Sequence, residues 1–186
     1  MRPDPGCDLT VIIPFTDDEE FVGALSRRAA THLAALGARH EILAVDEGSG
    51  DNSLALLTLM RERMPSLRVL HAEPGEGFAA GARVARGRIV WLWDSRNASA
   101  PVAPFAWAHG RVAGGHGDIV LIPGRYAVCR RTASWRALES ARGRGSAYER
   151  QLLRHAERRH LRVSTPPAPT PPRRWTWLPA LLRQRA

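Results

Sequence analysis

Three acidic clusters carry most of the chemistry this sequence could do. The run IVWLWDSRNASAP, residues 89–101, climbs through apolar residues to Asp94 and then breaks into polar ones. A buried strand ends this way where it reaches a ligand-binding edge. A second carboxylate two residues after the first would give an oxygen pair able to hold a divalent cation. Here that position is Arg96, and a guanidinium donates hydrogen bonds but ligates no cation. Asp94 alone is therefore a weak candidate ligand, and the expected cofactor is none or a weakly bound Mg²⁺ or Mn²⁺. The other clusters are Asp17-Asp18-Glu19-Glu20 and the turn DEGSGDNS at 46–53, which holds Asp46, Glu47 and Asp51. The glycines Gly75, Gly77 and Gly81 have the look of a phosphate loop, but spaced glycines are weak evidence alone. Close packing of a helix is the expected role.

The elements that must position these residues alternate. LTVIIP (9–14), EILAV (41–45), LRVLH (67–71), RIVWLW (88–93) and DIVLIP (118–123) are short apolar runs rich in branched residues, the pattern of buried parallel strands. YAVCR (126–130) and LRVS (161–164) are candidate further strands. Helices are expected from the acidic cluster to about Leu36, stopped by Gly37, and over about 53–63, with Asp51 or Ser53 as cap. Further helices are expected after the glycine-rich loop EPGEGFAAG (73–81), which enters a short one running to about Ala85, after Pro104, over 132–140 and over 146–159. The last has Leu152, Leu153 and Ala156 on one face and Arg150, Arg154, Arg158 and Arg159 elsewhere. The fold class is thus α/β, a Rossmann-like, mostly parallel sheet flanked by helices. Ligands in such sheets bind at the carboxyl ends of the strands, where all three acidic clusters fall.

The 186 residues are 44% hydrophobic, enough for a core and for one domain. The expected division is a domain over 1–165 and a Pro-rich linker with a Trp/Leu/Arg tail over 166–186. The two cysteines, Cys7 and Cys129, make no disulfide framework. All 27 basic residues are arginine, and the net charge is +9. They are unevenly spread: residues 1–120 hold 12 arginines against 15 acids, residues 121–186 hold 15 against 3. The second part should attract anions.

The order VIIPFTDDEE, EILAVDEGSGDNS and GEGFAAGARVARGRIVWLWDSRNASAP resembles the family 2 nucleotide-sugar glycosyltransferases of the GT-A fold. That family reads as an IPxYNEE start, a VDDGSxDxS turn, a glycine-rich segment ending in ARG, and a strand ending in DAD. Further on, GDIVLIPGRY, AVCRRTASWRAL and YERQLLRHAERRHLRVSTPP look like segments of the polyprenyl-phosphate sugar transferases. The resemblance implies a UDP-, GDP- or dTDP-linked sugar as donor and a lipid-phosphate acceptor. It assigns Asp18, Asp46, Glu47 and Asp51 to base and ribose contacts, and Pro14 and Phe15 to the floor under the base. It assigns Asp94 and Arg125 to catalysis, and Arg125, Arg130 and Arg131 to a cationic clamp on phosphates; Arg96 joins the catalytic candidates on its own chemistry, as a departure from the family's pattern.

The departure at Arg96 leaves two readings open. In one, Arg96 replaces the metal, because a guanidinium matches phosphate oxygens bidentately and is always charged. Transfer is then metal-independent, with leaving-group charge stabilised electrostatically. In the other, the chain is a degenerate GT-A-like module that binds a nucleotide or a partner without turnover. Glu149 aligns only loosely with a catalytic acid, and a phosphate acceptor, already an anion, needs no base.

The tail RRWTWLPALLRQRA (173–186) mixes tryptophan, leucine and arginine, a composition suited to a membrane interface. No stretch of 18 apolar residues is present, and the start MRPDPGCDLT lacks a basic-then-apolar pattern, so no signal peptide is expected. The expected location is cytoplasmic, with peripheral contact at the inner membrane face. No nucleic-acid recognition motif is seen, so none is expected as partner.

Overall fold

Leu9–Phe15 (β1), His40–Asp46 (β2) and Ile89–Trp93 (β4) are buried almost throughout, as their unbroken apolar runs require. A computed structural model describes residues 6–97, 102–122 and 126–166 of the chain. Together with Leu67–His71 (β3), Ile119–Ile122 (β5), Tyr126–Arg130 (β6) and Val163–Ser164 (β7), these strands form one sheet in the order β3-β2-β1-β4-β6-β5-β7. The pairs β1–β2, β1–β4, β2–β3 and β5–β7 are parallel. β6 runs against both its neighbours.

Side chains alternate between two cores, one on each face of the sheet. Leu9, Val11, Ile13 and Phe15 enter one core with Trp91, Trp93 and Phe105. This core is covered by Glu19–Ala35 (α1), Ser53–Arg63 (α2) and Ala103–Ala113 (α4). Trp91 and Trp93 stack at 4.4 Å between ring centroids, and Trp91 lies at 3.9 Å from Phe105. Ile12, Val45, Val90 and Leu92 enter the other core with Phe78, Leu138, Tyr148 and Leu152. Gly77–Val84 (α3), Arg131–Ser140 (α5) and Gly145–Arg158 (α6) cover that face. Cys129 is fully buried there, and its thiol is pushed up to about 12 by burial.

The boundaries expected from sequence agree with these elements to within a few residues, and α1 ends as Gly37 suggests. Gly37 N–H donates to Ala34 O and Ala38 N–H to Leu33 O, a Schellman arrangement. The glycines of α3 pack closely: a Cβ on Gly81 would lie 2.4 Å from Ile12 Cγ2, and one on Gly77 2.6 Å from Pro14 Cβ.

Register places the site. Phe15 pairs with Asp46, and Asp46 with His71, so β1, β2 and β3 end level. β4 ends at Trp93, one residue before Asp94. The three acidic clusters therefore stand together beyond the carboxyl ends of β1, β2 and β4, the edge where such sheets bind ligands.

Candidate functional site

The loops after β1 and β2 are stitched to each other. Asp17 N–H donates to Ser49 Oγ, and Gly50 N–H donates back to Asp17 Oδ1 at 2.7 Å. Asp18 N–H donates to Ser53 Oγ. Asp51 accepts Glu19 N–H on one oxygen and Ser53 N–H on the other, so it ties the starts of α1 and α2 together. These bonds, led by those from Ser53, hold the Asp51 carboxyl below its ordinary range.

Inside this frame Asp46 and Glu47 are buried and Asp18 half-buried. Asp46 Oδ1 accepts Ser49 N–H at 2.9 Å and Oδ2 lies 3.3 Å from His71 Nδ1. Glu47 Oε1 accepts Gly77 N–H at 2.6 Å. Burial raises the Glu47 carboxyl above its ordinary range, opposed by that N–H and by the charge of Arg144. Asp18 accepts a hydrogen bond from Ser95 Oγ. Pro14 contributes its carbonyl, which accepts from Arg144.

Asp94 is 3% exposed. Its Oδ1 accepts Arg96 N–H and Nε, both at 3.1 Å, and Arg144 Nη2 at 2.9 Å. Its Oδ2 accepts Arg96 Nη2 at 2.7 Å. Burial pushes this carboxyl up, but the Arg96 hydrogen bond and the Arg144 charge outweigh it and hold it below its ordinary range. Arg96, on the 3₁₀ turn Ser95–Asn97, is raised in turn by its bond to Asp94. A cavity of about 520 Å³, lined by Asp18, Phe21, Leu25, Arg28, Ser95 and Arg96, opens beside the cluster.

Arg144 was not singled out by the sequence, where it is one arginine of 27 in a glycine-rich loop. Its guanidinium donates from Nη2 to Pro14 O at 3.0 Å, Asp94 Oδ1 at 2.9 Å and Ser95 Oγ at 2.7 Å. It stands 3.8 Å from Asp18 and 3.6 Å from Glu47. One half-buried cation thus meets carboxylates from the ends of three strands. The flanking pattern Gly143-Arg144-Gly145 is the one sequence signal that could have pointed to it.

Several expectations need correction. Hydrogen-bond donors, all but one of them from guanidinium groups, meet both oxygens of Asp94, three on Oδ1 and one on Oδ2, where a bare carboxylate was expected. Among the described residues no group of three or more His, Cys, Asp or Glu is placed to hold a metal. Phe15 is fully buried in the core behind β1, so its ring is not available as a floor for a base. Arg130 and Arg131 lie at the far edge of the sheet: β6 is antiparallel, and Arg130 pairs with Ile89 at the start of β4. Arg130 there stands 3.8 Å from Asp118 and donates to Val112 O at 2.7 Å. Arg131 is buried at the start of α5, its N–H on Arg88 O. Neither joins a clamp with Asp94. Arg125 and the tail lie outside the described residues. Glu149, on α6, is half-buried.

No family model matches the chain. Its sequence is similar to the dodecaprenyl-phosphate galacturonate synthase of Rhizobium johnstonii, with 31% identity over 98 residues, 50% of this chain and 29% of that protein. It is also similar to the undecaprenyl-phosphate 4-deoxy-4-formamido-L-arabinose transferase of Klebsiella pneumoniae, with 40% identity over 50 residues, 27% of this chain and 15% of that protein. The matched stretches cover less than a third of either relative. Among solved structures, the mannosyltransferase of Pyrobaculum calidifontis in complex with GDP-Man and Mn²⁺ superposes with a TM-score of 0.64 at 18% identity. That match covers 94% of this chain and 61% of that one. The glucosyl-3-phosphoglycerate synthase of Mycobacterium tuberculosis, with Mn²⁺, UDP and glucosyl-3-phosphoglycerate, gives a TM-score of 0.65 at 16% identity, covering 86% and 69%. The fold is that of the GT-A glycosyltransferases. In sequence the chain resembles the polyprenyl-phosphate sugar transferases, as its motifs indicate.

Proposed function

We propose that the chain transfers a sugar from a nucleoside diphosphate donor to a polyprenyl-phosphate or other lipid-linked phosphate, with guanidinium charge in place of a divalent metal. The observation that carries this reading is the meeting of Asp18, Glu47 and Asp94 at one strand edge, where Arg144 stands among all three and Arg96 is bonded to Asp94. Carboxylates from separate loops suit the N–H and hydroxyl donors of a nucleoside. Arg96, its side chain 54% exposed, turns an open face to an incoming anion. In the reaction an acceptor phosphate oxygen forms the new bond to the anomeric carbon. The bond from that carbon to the diphosphate breaks, and the electron pair leaves with the diphosphate. The acceptor brings its own negative charge, so no proton need be removed from it. Arg96 stabilises the charge that grows on the leaving group.

A second reading, nucleotide binding without turnover, draws on the sealing of both Asp94 oxygens. A thermal-shift screen with UDP, GDP, dTDP and their sugars, each with Mn²⁺ and with EDTA, tests the proposal. Stabilisation that survives EDTA, followed by turnover with a polyprenyl phosphate, is the expected result. Binding without turnover over a broad donor panel favours the second reading. No stabilisation by any nucleotide sinks both.

A further inference from the structure

We propose that Arg144 is a second grip on the donor's diphosphate, stored on Asp18, Glu47 and Asp94 until the anion arrives. The inference rests on the nucleotide-sugar reading and gives that site a residue which neither the motifs nor the relatives point to.

Position is the first argument. Arg144 sits on the short connection between α5 and α6, between Gly143 at φ +86° and Gly145 at φ +55°. Both glycines occupy the left-handed region that other residues rarely adopt. They let the chain turn twice within three residues and thrust one side chain into the site. The connection leans on the loop before α3: Gly143 N–H donates to Gly75 O at 2.7 Å, and Arg142 Nε donates to Glu76 Oε1 at 2.9 Å.

Unspent donors are the second. A guanidinium has five N–H groups. Nη2 faces three acceptors, more than its two hydrogens can serve. Nη1 stands 3.6 Å from Glu47 Oε2, outside hydrogen-bond reach. Nε is buried with no hydrogen-bond partner among the described residues. Buried donors of this kind gain most from a new acceptor.

Replaceability is the third. Each carboxylate near Arg144 has another partner. Asp94 keeps Arg96, Glu47 keeps Gly77 N–H, and Asp18 keeps Ser95 Oγ. Arg144 can therefore turn to a phosphate without leaving a bare buried charge behind it. Guanidinium and phosphate match in shape and charge.

The test compares nucleoside with nucleoside diphosphate. Calorimetry on the full chain, in EDTA, would measure uridine, guanosine and thymidine against UDP, GDP and dTDP. For the preferred base, Arg144→Gln should weaken the diphosphate about tenfold or more while the nucleoside changes less than about twofold. Arg144→Lys, which keeps the charge and loses the fork, should fall between. It decides the question alone if Arg144→Gln does not fold. Equal weakening of nucleoside and diphosphate would make Arg144 a structural counter-ion and overturn the proposal, as would an unchanged ratio with no weakening. If the wild-type chain binds no nucleotide at all, the nucleotide-sugar reading falls and takes this proposal with it.

Discussion

Asp94 shows what can and cannot be learned from one residue type in a motif. The sequence marks it as the end of a buried strand, and marks Arg96 as the departure two residues on. The acids Asp18, Asp46 and Glu47 were legible in the same way, as polar breaks after apolar runs. The bond network was not. Arg144 comes from a loop 50 residues away in sequence, and only the fold brings it to Asp94. The resulting cluster should contribute to the pH dependence of stability in acid. Asp94 is held below its ordinary 3.8. Its contribution is present above that pH and is lost as pH falls through the lower folded value. Glu47 acts in the opposite sense: raised above 4.5, it favours the fold below that pH, and this is lost as pH rises through its folded value. Asp94→Asn should cost about 3 kcal/mol at neutral pH, because a buried pair is broken and Arg144 loses a charged acceptor. The variant's stability should also fall less steeply at the acid end, where Asp8, Asp51, Glu76 and Asp118 still lose their stabilising charge. Urea unfolding across acid to neutral pH would read both effects. A cost that persists undiminished at the lowest pH would contradict this account.

At the level of elements, the strand and helix order was readable because apolar runs and glycine or proline breaks alternate cleanly. The direction of β6 decides where its arginines stand. Ile122 and Tyr126 are separated by three residues, too few for a parallel crossover. β6 therefore had to turn back, and with it Arg130 and Arg131 went to the edge away from Asp94. Read that way, the spacing alone would have withdrawn both from a phosphate clamp. Arg130→Ala should consequently lower the melting temperature, through loss of the bonds to Asp118 and Val112, yet leave nucleotide affinity within about twofold. Calorimetry of the variant with the preferred nucleoside diphosphate decides it. A tenfold loss of affinity would restore Arg130 to the site.

Taken as a whole, the molecule separates its charges. Asp18, Asp46, Glu47 and Asp94 gather at the carboxyl edge of the sheet, while Asp8, Glu41 and Asp118 pair with arginines at its other end. Arg150, Arg154, Arg158 and Arg159 of α6 and the turn after it are exposed, while Tyr148, Leu152 and Ala156 of the same helix are buried. Among the described residues no helix is long and apolar enough to cross a membrane. The sequence-based expectation of peripheral contact falls on the tail, which lies outside the described residues. Removing residues 167–186 should sharply reduce sedimentation with vesicles containing anionic lipid. Binding of the full chain should weaken as salt rises through about 0.15 M. A truncated chain that sediments as well as the full one would assign the contact to α6 instead.

The stacked tryptophans behind the site have an optical consequence. Trp91 and Trp93 are fully buried, and Trp93 directly precedes Asp94. Trp107 and Trp135 are over a third exposed. Acrylamide in solution will dim the exposed rings and spare the stacked pair. The blue-shifted emission that survives the quencher comes, among the described tryptophans, from the strand that ends at Asp94. Among the described tryptophans, a built-in fluorophore one residue from the acid cluster reports events there without a label.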